Sequence, residues 1–214
     1  PLTLSSMQEA PERETELGRK LEAPLDQGAD DERYMRLAIE EAQGAMAEGE
    51  VPVGCILVDR SSGEVLVRAG NSTNRSRNGT RHCEFVAANA LLKEHGRAKL
   101  LDSCLYVTLE PCIMCAGALQ HLGVPEVVFG APNARFGGCG GVFSVHELTA
   151  GPRRDGKADA PRSKLLGFSC RGGVLAEEAV ELLRVFYATG NPNAPEEKRH
   201  RPLGPTPDSG PTSD

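Results

Sequence analysis

Two short segments constrain this chain more than anything else in it: Arg81-His82-Cys83-Glu84 and Glu110-Pro111-Cys112-Ile113-Met114-Cys115. Each stands where a helix-period apolar run begins. Phe85, Ala88, Leu91 and Leu92 follow the first at helical spacing, and Pro111 suits the first turn of a helix over about 112–122. An imidazole, a carboxylate and two thiols at two helix starts form one site only if the fold points both starts at one cavity.

The surrounding pattern supplies such a frame. Asp30 or Asp31 is placed to cap a helix whose apolar positions Met35, Ala38, Ile39, Ala42, Ala45 and Met46 keep helical spacing until Gly49. The run VGCILV, an SSGE turn and a second strand at 65–69 read as a β-hairpin. A polar loop over 71–81 leads to the first motif. Strands follow at 104–109, 127–130 and 166–171, with a glycine-rich FGGCGG loop at 136–141, a basic insertion at about 149–164 and a last helix over 176–188. Helices alternating with strands predict an α/β fold of three α/β/α layers around a mixed five-stranded sheet. One domain is expected over 30–190, between an acidic disordered tail (1–29) and a flexible polar tail (191–214), because those ends hold few large apolar side chains.

The C-x-x-C spacing places two sulfurs on the first turn of a helix, where unpaired amides and the positive end of the macrodipole favour thiolates, the ligand form. With His82 this gives three protein ligands for Zn2+ (His82, Cys112 and Cys115) and leaves the fourth tetrahedral position for water, the mark of a catalytic site. A closed structural site would need a further ligand from Cys83, Cys139 or a distant histidine. Zinc lowers the pKa of its water from about 15.7 to about 7. Glu84 is then the catalytic candidate for carrying that proton, provided its side chain and that of His82 converge across the helix end.

The pattern H-x-E…P-C-x-x-C resembles that of the zinc nucleobase deaminases. The likeness extends through VPVGCILV, the Asn71 loop, LYVTLEPCIMCAGAL, VVFGAPNARFGGCGGV, AEEAVELLRVFY and NPNAP, roughly residues 34–195. The chain most closely resembles the catalytic subunits of eukaryotic heterodimeric tRNA adenosine deaminases, of the cytidine/deoxycytidylate deaminase superfamily. The resemblance implies a cytidine-deaminase-like fold and conversion of adenosine to inosine at the wobble position of the tRNA anticodon loop. It also implies a base flipped into the pocket, attack at C6 by activated water, and ammonia leaving after protonation by Glu84. Asn71 would hydrogen-bond the base, Val53 would line the pocket, and the backbone around Cys83 and Pro111 would orient the substrate. A homologous partner subunit, a catalytically inactive paralogue or otherwise a second copy, is implied too. Cys83 departs from the family, which has alanine there, and is expected to be a small buried side chain.

The net charge of -6 does not argue against RNA, because residues 1–33 alone carry nine acids against four bases. Arg75, Arg77 and Arg81 crowd one loop, and Arg153, Arg154, Lys157, Arg162 and Lys164 the insertion, as phosphate contacts would require. Seven cysteines, an odd number scattered through apolar segments, point to a reducing compartment. With no stretch of membrane-span length, the expectation is cytoplasm and nucleus with no membrane contact. Two other functions share the motif: deamination of a free base, nucleoside or nucleotide (cytosine, guanine, deoxycytidylate), and non-catalytic RNA binding. The presence of Glu84 argues against the second.

Overall fold

In the computed structural model the described residues are 27–148 and 167–188. The elements run α1 (Gln27–Ala47), β1 (Gly54–Asp59), β2 (Val65–Gly70), α2 (Thr73–Ser76), α3 (Cys83–Glu94), α4 (Gly96–Leu100), β3 (Ser103–Leu109), α5 (Ile113–Leu122) and β4 (Glu126–Ala131). A 3-10 turn (Val145–Glu147), β5 (Ser169–Arg171) and α6 (Ala176–Ala188) follow. The five strands form one sheet in the order β2-β1-β3-β4-β5. β1 is antiparallel to β2 and β3, whereas β3, β4 and β5 run parallel. The sheet is mixed, as the sequence pattern predicts.

The three layers follow from the two-residue period of a strand. Cys55 and Leu57 of β1, with Leu105 and Val107 of β3, pack with Ala87 and Leu91 of α3 and Ala116 and Leu119 of α5. Their alternates Ile56, Val58, Cys104 and Tyr106 face the other way, onto Tyr34, Met35, Ala38 and Ile39 of α1, with Leu182 of α6 beside them. Both faces being covered, β1 and β3 read as unbroken apolar runs. Leu91 and Leu105 are fully buried, and Leu91→Ala would cost about 2–5 kcal/mol. Gly54 lets α1 approach closely: a Cβ there would run into the backbone of Ala38 and Ala42.

Several boundaries differ from the sequence-based expectations. α1 begins at Gln27, so neither Asp30 nor Asp31 caps it. Asp31 is buried and accepts hydrogen bonds from the Tyr106 hydroxyl at 2.8 Å and from Arg171 Nη2 at 2.7 Å and Nε at 3.0 Å, which ties α1 to β3 and β5. α3 and α5 each begin one residue later than predicted, because His82 and Cys112 have extended backbones (ψ 156° and ψ 165°) and stand just outside their helices. The short helix α2 lies in the stretch read as a polar loop, and α4 in one to which the sequence pattern assigned no element. The tails, apart from the turn at 27–29, and the basic insertion lie outside the described residues. Among the described residues no helix is long and apolar enough to cross a membrane.

Candidate active site

The extended residues before α3 and α5 create the site. In a continuous helix the side chains of His82 and Glu84 would diverge. With His82 outside the helix and Glu84 in its first turn, both line the same pocket. Cys112 precedes α5 in the same way, and Cys115 lies in its first turn. Neither His82 nor Cys112 uses its own side chain to cap the helix it precedes, and both helix starts turn their positive ends toward one cavity.

His82 Nδ1 lies 3.6 Å from Cys112 Sγ and 3.5 Å from Cys115 Sγ. A tetrahedral ion with bonds of about 2.3 Å to sulfur and about 2.0–2.1 Å to nitrogen sets an N···S edge of about 3.6 Å. The donor set and its spacing therefore fit one soft divalent metal ion. The Cys115 thiol, with His82 adding to it, draws the Cys112 pKa down to about 4, against the upward pull of burial. The Cys115 thiol is pushed upward, first by Cys112 and then by burial. His82 is raised, chiefly by Cys112, against burial.

Glu84 is 5% exposed. Burial raises its pKa, with its own backbone N–H and His82 opposing, so the carboxyl is poised to hold a proton and give it up. Its Oε2 accepts from the Cys83 thiol at 3.4 Å, a weak bond. Cys83 itself is fully buried in the core beside Cys55, and its pKa is pushed well up, first by burial. It matches the expectation of a small buried residue.

The pocket holds about 220 Å³ and is lined by Val53, Asn71, His82, Glu84, Glu110 and Cys112, with Val51, Thr73, Leu109, Asn133, Phe136 and Tyr187 completing it. That is below the range of about 300–1,000 Å³ for drug-sized ligands and suits a single flat ring. Two larger hollows, outside α6 and beside β2, hold no cysteine or histidine. Asn71 uses Oδ1 to accept from the Cys83 N–H (2.9 Å) and Nδ2 to donate to the Val51 carbonyl (3.1 Å). One N–H and one lone pair of its amide remain for a ligand. Pro111 is buried, and its carbonyl accepts from the Gly138 N–H at 2.8 Å, which places it behind the site rather than in the pocket wall.

Two glutamates that the motif reading does not single out shape the walls. Glu110 is 2% exposed; Oε1 accepts from the N–H groups of Cys139 (2.9 Å) and Gly141 (2.8 Å), and Oε2 from that of Asn133 (2.7 Å). The FGGCGG loop is thus gripped rather than loose, and its glycines are needed, because a Cβ at Gly137 or Gly141 would strike the Glu110 carboxylate. Glu50, fully buried, accepts from Thr73 Oγ1 (3.0 Å) and the N–H groups of Asn74 (2.9 Å) and Arg75 (2.8 Å), fixing α2 beside the pocket. Burial pulls its pKa up, but the Arg75 and Asn74 N–H groups and Thr73 outweigh it and leave it lowered. An acid in the midst of an apolar run, as in TLEPC, was the available signal for Glu110.

Residues 29–131 match the family model of the cytidine and deoxycytidylate deaminase zinc-binding region. The chain is 42% identical over 181 residues to tRNA-specific adenosine deaminase 2 of Xenopus laevis, covering 82% of this chain and 96% of that protein. It is 31% identical over 157 residues to the tRNA-specific adenosine deaminase of Streptococcus pyogenes serotype M1, covering 73% and 83%. A solved structure from work on A-to-I editing by tRNA:A34 deaminases superposes with a TM-score of 0.59 at 28% identity, over 71% of this chain and 99% of that one. The guanine deaminase of Nitrosomonas europaea superposes with a TM-score of 0.54 at 25% identity, over 72% and 83%. On this likeness across fold and sequence, the chain belongs to the tRNA-specific adenosine deaminase family, within the zinc-binding cytidine and deoxycytidylate deaminases.

Proposed function

We propose that this chain converts adenosine to inosine at the wobble position of tRNA anticodons, with one zinc ion on His82, Cys112 and Cys115 and Glu84 as the proton carrier. The observation that carries the reading is the imidazole and two thiols at tetrahedral spacing beside a buried carboxylate with a raised pKa, in one base-sized pocket. Zinc held there by His82, Cys112 and Cys115 would supply Lewis acidity and lower the pKa of water to about 7. Glu84 takes a proton from the water that attacks C6 and delivers it to the departing amino nitrogen, so adenosine and water give inosine and ammonia. Burial favours the protonated form of Glu84 between those two transfers.

The remaining lining positions the base. The free N–H and lone pair of Asn71 face the ring edge, Val53 packs on its face, and the clamped backbone at Cys83 and Pro111 holds the motif segments in register. Phe136 and Tyr187 offer aromatic faces at the rim on which neighbouring bases can stack. Exposed Arg75 and Arg77 beside the pocket, with the basic insertion, would meet phosphates. Arg75 is already oriented by Glu48 at 2.8 Å. A homologous partner subunit would cover the apolar side chains Ile113, Met114, Val142 and Phe143, which are 39–59% exposed and joined through the backbone bonds of Gly137 and Phe136.

The test is a substrate panel. The purified chain, alone and with a homologous partner, is incubated with an anticodon stem-loop carrying adenosine at the wobble position and with free adenine, cytidine and guanine. Inosine at the wobble position, with binding that weakens steeply as salt rises, is the expected result. Faster release of ammonia from guanine or cytidine than from the stem-loop would overturn the RNA assignment.

A further inference from the structure

A second set of metal-ligating side chains lies outside the pocket lining. Cys139 in the glycine-rich loop, His146 in the 3-10 turn and Cys170 in β5 bring two sulfurs and a ring nitrogen within 4.8 Å of one another. A tetrahedral zinc ion with bonds of about 2.3 Å to sulfur sets an S···S edge of about 3.8 Å and an N···S edge of about 3.6 Å. The group is therefore compact enough to close on one ion with small side-chain adjustments. These residues are 7, 24 and 31 positions apart in the chain (139 to 146, 146 to 170 and 139 to 170), so the tertiary fold, not a local turn, assembles them.

The imidazole supplies an independent sign of a missing partner. His146 Nε2 faces Glu147 Oε1 at 3.8 Å, while Nδ1 is buried with no hydrogen-bond partner among the described residues. A buried ring nitrogen left unpaired is destabilising, and a ligand removes that cost. The backbone holds each of the three residues in place. The Cys139 N–H is bound to Glu110 Oε1 at 2.9 Å. The His146 carbonyl accepts from the Phe168 N–H at 3.1 Å, with the His146 ring against the Phe168 ring at 5.7 Å. Cys170 in β5 is paired with Val127 of β4 and points its thiol at the Cys139 carbonyl, 3.7 Å away.

We infer that Cys139, His146 and Cys170 bind a second soft divalent metal ion, zinc foremost, at a three-ligand site that joins the FGGCGG loop to β5. Two thiolates and one imidazole are the ligand chemistry of zinc rather than of magnesium or calcium. Binding releases the two thiol protons to solvent, changes no oxidation state and leaves the fourth position to water. In the sequence His146 and Cys170 lie on either side of the basic insertion at about 149–164. Through Cys139 the ion would steady the loop that Glu110 holds at the pocket wall. The inference stands apart from the deaminase reading, since none of its ligands is used there.

The test counts metal on the full chain. Protein prepared in reducing, zinc-containing buffer and freed of loose metal is assayed by plasma mass spectrometry, beside Cys112→Ser, Cys170→Ser, His146→Gln and the double variant C112S/C170S. Two zinc ions per chain are expected for the wild type, one for each single variant and none for the double variant. Cobalt loaded into Cys112→Ser should show thiolate charge-transfer absorption that C112S/C170S lacks, a readout independent of activity. One zinc in the wild type, lost in Cys112→Ser and kept in Cys170→Ser and His146→Gln, would overturn the second site and leave the first untouched. A Cys139–Cys170 disulfide found by thiol counting in the reduced preparation would overturn it as well. Loss of zinc from Cys170→Ser only would instead overturn the deaminase site and uphold this one.

Discussion

Three buried glutamates surround or support one pocket, and they are held in opposite ways. Glu50 accepts three hydrogen bonds from α2, two of them from backbone N–H groups, and Glu110 accepts three from the backbone N–H groups of the loop after β4. Glu84, at the start of α3, has the Cys83 thiol at 3.4 Å and its own N–H. Donors that converge on a carboxylate fix both its charge and its position, whereas burial without them raises the pKa and leaves the proton transferable. The wall glutamates are structural anchors, and the helix-start glutamate is free for chemistry.

That contrast can be broken by replacing each acid with its neutral isostere. Glu110→Gln should have the largest effect on stability, about 3 kcal/mol in urea unfolding, because an amide NH2 would face the N–H groups of Cys139, Gly141 or Asn133. A loss under about 0.5 kcal/mol would mean that the glycine-rich loop does not depend on Glu110. Glu50→Gln should cost about 2 kcal/mol for the same reason at Arg75 and Asn74.

Glu50 also sharpens the comparison through pH. Folding lowers its pKa, so the folded state binds fewer protons than the unfolded chain near that value. Its contribution is whole above the unfolded pKa of about 4.3 and is lost as pH falls through the lowered folded value. Wild type should therefore lose stability below about pH 4.3 more steeply than Glu50→Gln when unfolding is followed from pH 6 to pH 3. Parallel curves would contradict the assignment. Glu84→Gln should have the smallest effect on stability, within about 0.5 kcal/mol or slightly stabilising, because it removes a buried carboxylate that few donors support.

The same contrast explains what could be read before the fold was known. His82, Glu84, Cys112 and Cys115 are legible because their meaning lies in short spacing at two helix starts. Short apolar runs between turn signals, together with helix period, likewise give the five strands and the three layers. Glu50 and Glu110 escape, since the donors that define them lie 23–25 and 23–31 residues away. Asp31 is misread as a cap for the same reason: its partners Tyr106 and Arg171 are 75 and 140 residues distant. Cys139, taken singly, could be weighed only as an extra ligand for the first site. Its neighbours His146 and Cys170 come to it through the turn and β5, on either side of the basic insertion.

The central claim, that Glu84 carries the proton in a zinc-dependent hydrolytic deamination, is tested most directly by single-turnover inosine formation. Wild type and Glu84→Gln, each with the partner subunit that gives wild-type activity, are compared on the anticodon stem-loop while bound zinc and RNA affinity are measured in the same samples. The account predicts a fall of about 10²–10⁴-fold in the rate, with zinc content and RNA affinity unchanged. A Glu84→Gln rate within about twofold of wild type, far inside the loss expected for a general acid–base group, would contradict it.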